Sequence, residues 1–327
     1  MKRFSALLIT ATLIVGTVGC APRPVEIQDW YDLNAVRNDL GGSYILMNDL
    51  DSTTAGYAEL ASETANGGKG WEPIGTSDDG FTGDFNGQGY EIRDLFINRP
   101  DQDYVGLFSH ITWARYIDNV GVIENVGVVN AGVTGLAQVG VLVGHNAGAV
   151  NNSYSSGSVT GDERVGGLVG WNQAMLSNSY SSASVNGSSA VGGLTGDNWY
   201  YRGIVSNSYS TGGVTGSKRV GGLVGVNNWG NVTDSYSTGS VAGSTQVGGL
   251  VGYNKGTVSS SFWDIQTSGR ATSDGGIGKT TTEMKSIATF SGAGWSIVAV
   301  AGPGERTPSY LWNIVDGQTY PILSWEP

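Results

Sequence analysis

One cysteine, two histidines and only 14% charged side chains stand in 327 residues, and each shortage excludes something. A lone cysteine, Cys20, allows no internal disulfide, so stability has to come from packing and hydrogen bonds. Neither His110 nor His145 is followed by glutamate, so no HExxH zinc site exists. The low charge content is far from that of a disordered chain. Lys and Arg number 17 against 28 Asp and Glu, a net charge of −11, which argues against nucleic acid and anionic headgroups as partners. After the first twenty residues, no hydrophobic run approaches the length of a membrane span.

Residues 1–19 have the layout of a secretory signal, with Lys2 and Arg3 ahead of an apolar stretch. Removing them takes the net charge from −11 to −13. Thr17-Val18-Gly19-Cys20 resembles a bacterial lipobox, with Thr17 where leucine is usual. The resemblance implies cleavage before Cys20, lipidation of that residue and an anchored protein of the cell envelope or outer surface.

What is abundant is glycine, 53 residues, together with Ser, Thr, Asn, Val and Tyr. That mixture favours turns and short strands. It is also ordered as a repeat. The hexads VGVLVG (139–144), VGGLVG (165–170), VGGLTG (191–196), VGGLVG (220–225) and VGGLVG (247–252) begin 26, 26, 29 and 27 residues apart. One residue beyond each hexad stands an asparagine: Asn146, Asn172, Asn198, Asn227, Asn254. An aliphatic position follows, at Val150, Leu176, Val205, Val232 and Val258, then an aromatic, at Tyr154, Tyr180, Tyr209, Tyr236 and Phe262. All length variation falls between the asparagine and the aliphatic residue, which places a loop there.

Such a period suits one turn of a solenoid with two or three short strands. Equivalent residues then stack about 4.8 Å apart, giving valine, tyrosine and hydrogen-bonded asparagine columns. The fold class is therefore all-β, a parallel β-helix of right-handed sense with a short N-terminal capping helix and an irregular C-terminal cap. Residues 20–28 read as a tether, and 29–100 as the N-terminal cap with irregular first coils. Residues 101–262 read as the solenoid and 263–327 as the C-terminal cap. Asp29 is a candidate N-cap for a helix placing Trp30, Leu33, Val36 and Leu40 on one face. TTTEMKSIATF reads as a second short helix. Trp295, Trp312, Pro321 and Trp325 are expected to pack on the last coil.

The hexads resemble the GLUG motif, Gly-Leu-hydrophobic-Gly, as in Gly167-Leu168-Val169-Gly170, Gly222-Leu223-Val224-Gly225 and Gly249-Leu250-Val251-Gly252. The segments 43–51, 81–97 and 261–286 are similar to stretches that flank such repeats in large bacterial surface proteins. The resemblance implies a surface-displayed β-helix. The motif also occurs in the non-catalytic part of immunoglobulin A-cleaving metallopeptidases, whose zinc motif is absent here.

Catalysis finds little support. SDGGIGKT (273–280) approximates a phosphate loop but lacks its first glycine and the preceding strand, so a turn capping a helix explains it better. Asp78, Asp79, Asp84 and Asn86 carry oxygen ligands suited to Ca²⁺, yet an acidic turn accounts for them, and no metal or cofactor is expected. Within residues 135–260 the acids are Asp162, Glu163, Asp197 and Asp234, too dispersed for a glycosidase or lyase pair. Asp234 replaces Asn152, Asn178 and Asn207 in a column, which reads as scaffold.

The candidate ligand-binding residues lie where the repeat fails to repeat. They are Trp171, Asp197 and Tyr253 just after hexads, the insertion Trp199, Tyr200, Tyr201 and Arg202, and Trp229 in the next coil. Aromatics beside polar groups suit a glycan or a protein partner; packing over the neighbouring coil is the structural alternative. The sequence thus points to a surface binding or adhesion module without catalysis. A polysaccharide-active enzyme and a passive stalk on the same scaffold are the alternatives.

Overall fold

The structure is a computed structural model that describes residues 23–112 and 120–326. The expected signal segment and Cys20 lie outside the described residues. The chain winds into a parallel β-solenoid of about 5 regular turns, extended by shorter coils at its N-terminal end.

One coil shows the design. Glu163–Gly166, Val169–Asn172, Met175–Ser177 and the pair Tyr180–Ser181 and Ser184–Asn186 each belong to a different sheet, so a coil has four faces rather than two or three. We call them the leading, hexad, aliphatic and tyrosine faces. The hexad adds the extra corner, because its paired glycines bend the chain between Gly166 and Val169. Close approach makes them glycines: a Cβ on Gly167 would lie 2.2 Å from the Gly193 carbonyl oxygen and 2.1 Å from Ser181 Oγ. Leu168, Leu194, Leu223 and Leu250 point inward at these corners and are fully buried.

The register is the one the repeat predicts. Asn146, Asn172, Asn198, Asn227 and Asn254 stack, each Nδ2 donating to the next Oδ1 at 2.8, 2.8, 2.9 and 2.8 Å. A second column, Asn125, Asn152, Asn178, Asn207, Asp234 and Ser260, turns the chain between the aliphatic and tyrosine faces with φ between 44° and 55°. Asn and Asp tolerate that left-handed backbone best. A serine column, Ser153, Ser179, Ser208, Ser235 and Ser261, is fully buried. Each of these hydroxyls donates to the carbonyl two residues back at 2.7 Å.

At the N-terminal end the winding begins earlier than the sequence suggests. Val25–Ile27, inside the stretch read as a tether, pairs in parallel with Ser43–Leu46, which pairs with Asp84–Asn86. The alternation that drives this is short, with Ile27 alone of the three buried. The helix Trp30–Ala35 follows, capped by Asp29, and buries Trp30 and Leu33 against the core.

The C-terminal region differs most from expectation. Ser273 and Asp274 bond the edge of the last hexad strand, with Ser273 Oγ accepting from Val251 N at 2.8 Å, so the loop-like motif closes a sheet edge. The expected single helix is two, Thr281–Met284 with a Thr280/Glu283 capping box and Ile287–Ser291. The remaining segment does not stay on the last coil. It runs back along the tyrosine face: Trp295 meets Phe262 and Tyr236, Trp312 meets Tyr236 and Tyr209, and Trp325 meets Tyr180 and Tyr154. The tyrosine rings point outward from the coils and stack at 4.9, 4.8 and 4.9 Å, a continuous apolar stripe that needs a cover.

Candidate binding surface

The length variation seen in the sequence becomes an overhang at the corner between the hexad and aliphatic faces. After Trp199, the last residue of its strand, residues 200–203 leave the coil and return through a turn closed by Gly203 N donating to Tyr200 O at 2.9 Å. Tyr200 has φ +69° and the neighbouring Trp229 φ +66°, conformations uncommon for aromatic residues. The two loops brace each other: Tyr200 N donates to Asn228 O at 2.8 Å, and Trp199 bridges Trp229.

The overhang walls a cleft of about 560 Å³, lined by Trp199, Tyr200 and Arg202 on one side. Its floor is Val120, Ala147, Gln173 and Ala174, corner residues of the three preceding coils. Sequence reasoning missed this floor. Its residues come from three different coils, so no single repeat announces it. Tyr200, Tyr201 and Trp229 are 55%, 68% and 54% exposed, so the aromatics of the loop do not fold away onto the scaffold. Tyr200 and Tyr201 pack together at 4.7 Å.

Behind the loop runs an outward column of the hexad face: His110, His145, Trp171, Asp197, Val226 and Tyr253. His110 stacks on His145 at 4.4 Å, His145 on Trp171 at 4.2 Å, and Trp199 meets Trp171 edge-on at 6.3 Å. Burial, then the neighbouring His110, holds the His145 imidazole down to about 3, so the stack is neutral. Arg164 crosses from the leading face, in the left-handed region at φ +55°, and lies 5.2 Å over the Trp171 ring. It also pairs with Asp197 at 3.2 Å.

The proposed site residues therefore separate. Trp199, Tyr200, Tyr201, Arg202 and Trp229 come together, with Trp171 supporting Trp199. Asp197 is only 3% exposed, and it anchors Arg164 rather than facing the cleft. Its carboxyl is pushed up to about 6 by burial, with Arg164 opposing. Tyr253 stands two coils further along, between Arg219 and Lys255 at 5.5 Å each. Asp78 and Asp79 sit in an exposed turn and Asp84 on a strand; among the described residues no group of three His, Cys, Asp or Glu side chains is placed to hold a metal.

Fold and surface together define a parallel β-solenoid whose irregular corner loops carry its exposed chemistry. The repeat is the GLUG motif, which matches residues 161–186 and 216–242. The chain is 35% identical over 147 residues to a Gly-rich membrane protein of Evansella cellulosilytica, a match covering 43% of this chain and 15% of that protein. It is likewise 35% identical over 146 residues to the halomucin of Haloquadratum walsbyi, covering 43% of this chain and 2% of the other. The similarity thus spans only a small part of the length of either relative. A crystal structure named as an immunoglobulin A1 protease from Bacteroides ovatus has the same fold, with a TM-score of 0.65 over 93% of both chains at 20% identity.

Proposed function

We propose that this protein is a cell-surface module that binds carbohydrate in the cleft under the Trp199–Arg202 loop, without catalysing a reaction. The observation that carries the reading is the exposure of Tyr200, Tyr201 and Trp229 beside this cleft. Flat rings offer stacking faces to sugar C–H groups, and the Gln173 side-chain amide, whose Oε1 meets His145 Nε2, carries donor hydrogens. The β-braced loop holds these groups in place before a ligand arrives, which lowers the ordering cost of binding.

Surface display rests on the kinship with a protein named as a membrane protein and with a halomucin, and on the lipobox-like segment ending at Cys20. Among the described residues, Asp197, which precedes the loop, is committed to Arg164 and does not face the cleft as a general acid.

A glycan array probed with wild type and with the Tyr200→Ala/Tyr201→Ala/Trp229→Ala variant tests the reading. The expected result is that wild type binds saccharides that the variant no longer binds, with nearly unchanged melting temperatures. Unchanged glycan binding, a collapse of folding, or binding of protein but no saccharide would overturn it. Release of reducing sugar from bound polysaccharide would favour an enzyme instead.

A further inference from the structure

The tyrosine ladder stops one coil short. In the coil beneath Tyr154 the equivalent residue is Gly127, and a Cβ there would lie 2.4 Å from Tyr154 Cζ. Tyr154 leans across this gap and donates its hydroxyl to Glu91, which also pairs with Arg93. A second cleft of about 560 Å³ opens at the end of the ladder, lined by Asn86, Gln88, Gly89, Asn125, Tyr154 and Trp325. Trp325, delivered by the returning C-terminal segment, stands 6.2 Å from Tyr154 with its ring tilted 40°.

Two carboxamides of the polar lining, Asn86 and Asn125, have hydrogens to spare, whereas Gln88 Nε2 donates to Leu46 O at 2.8 Å and to Met47 Sδ at 4.0 Å. Asn86 Nδ2 donates to Glu124 at 2.8 Å and Asn125 Nδ2 to Asn86 Oδ1 at 3.3 Å. A carboxamide has two donor hydrogens, and each of these uses one among the described residues. Aromatic walls with unspent amide donors between them match the two faces of a pyranose, apolar C–H and hydroxyl. The carboxylates of Glu91 and Glu124 beside the cleft disfavour an anionic ligand. We infer that the cleft of Asn86, Asn125, Tyr154 and Trp325 is a second site, for a neutral saccharide, independent of the corner loop and completed by the C-terminal segment.

The test uses the full chain carrying Tyr200→Ala/Tyr201→Ala/Trp229→Ala, so that the loop cannot contribute. A panel of neutral mono- to tetrasaccharides is titrated by isothermal titration calorimetry. A saccharide is expected to bind this background one per chain, with Trp325→Ala removing the response. Asn125→Asp, a change the fold already accommodates as Asp234 in the same column, should weaken binding about ten-fold. The inference fails if the background binds no saccharide, or if Asn125→Asp and Trp325→Ala both leave the affinity unchanged. Saccharide binding by wild type but not by the loop variant would overturn the second site and leave the loop site standing.

Discussion

Asn172 illustrates how one residue type holds the coils in register. It accepts from Asn146, donates to Asn198 and also bonds the Ala174 carbonyl at 3.0 Å, all without contact with water. Asn172→Ala strands the Asn146 Nδ2 donor below and the Asn198 Oδ1 acceptor above, each costing about 1–3 kcal/mol when buried. We expect a loss of about 2–4 kcal/mol in urea unfolding, with no change in the far-ultraviolet spectrum of the folded state. Gly167→Ala should cost about 3 kcal/mol through overpacking, because its new methyl meets backbone of the next coil. Gly132→Ala, whose Cβ would meet only the Phe96 ring at 3.7 Å, should be nearly neutral in the same assay. The asparagine column was legible in the sequence because a buried amide in strict register has few other uses. The serine column was not, since serine is frequent throughout this chain and its bonds to the backbone leave no pattern distinct from a turn.

At the scale of elements, the sequence announced the coils but not what lies against them. Tyr154, Tyr180, Tyr209 and Tyr236 were readable as a stack, yet side-chain period alone does not say whether a stack points in or out. The answer lies in the C-terminal segment, whose tryptophans have no periodicity. Its last contact is sensitive to pH. Glu326 accepts from Tyr209 Oη at 2.9 Å and from Leu323 N at 2.5 Å. Burial nevertheless pushes its carboxyl up to about 7, and those two bonds oppose the shift. An acid whose pKa is raised by docking favours docking when protonated, so this contribution is complete below the ordinary glutamate range and fades as pH rises toward 7. Protection factors of amides around Leu323, which correct for the intrinsic pH dependence of exchange, are expected to be lower at pH 8 than at pH 5, and Glu326→Gln should remove the difference. Equal protection at both pH values in wild type would contradict this assignment.

Across the whole molecule, the division of labour follows from where the repeat may vary. The four faces cannot change length without breaking several hydrogen-bonded columns at once, whereas the corner after the asparagine can. The candidate loop was therefore legible as an insertion. Its floor and the second cleft were not, because both join residues from different coils, and the second also draws on the distant Trp325.

The returning C-terminal segment has a mechanical consequence. Coil-to-coil hydrogen bonds run along the solenoid axis, so a pull on the two ends would part them one coil at a time, as a zipper opens. A segment laid across the coils of Tyr154 to Phe262 spans those seams. It would share the load across several seams at once, turning a peeling geometry into a shearing one. In a single-molecule pulling experiment the stack would then yield in one high-force event, and removal of residues 295–326 would replace it with a series of low steps.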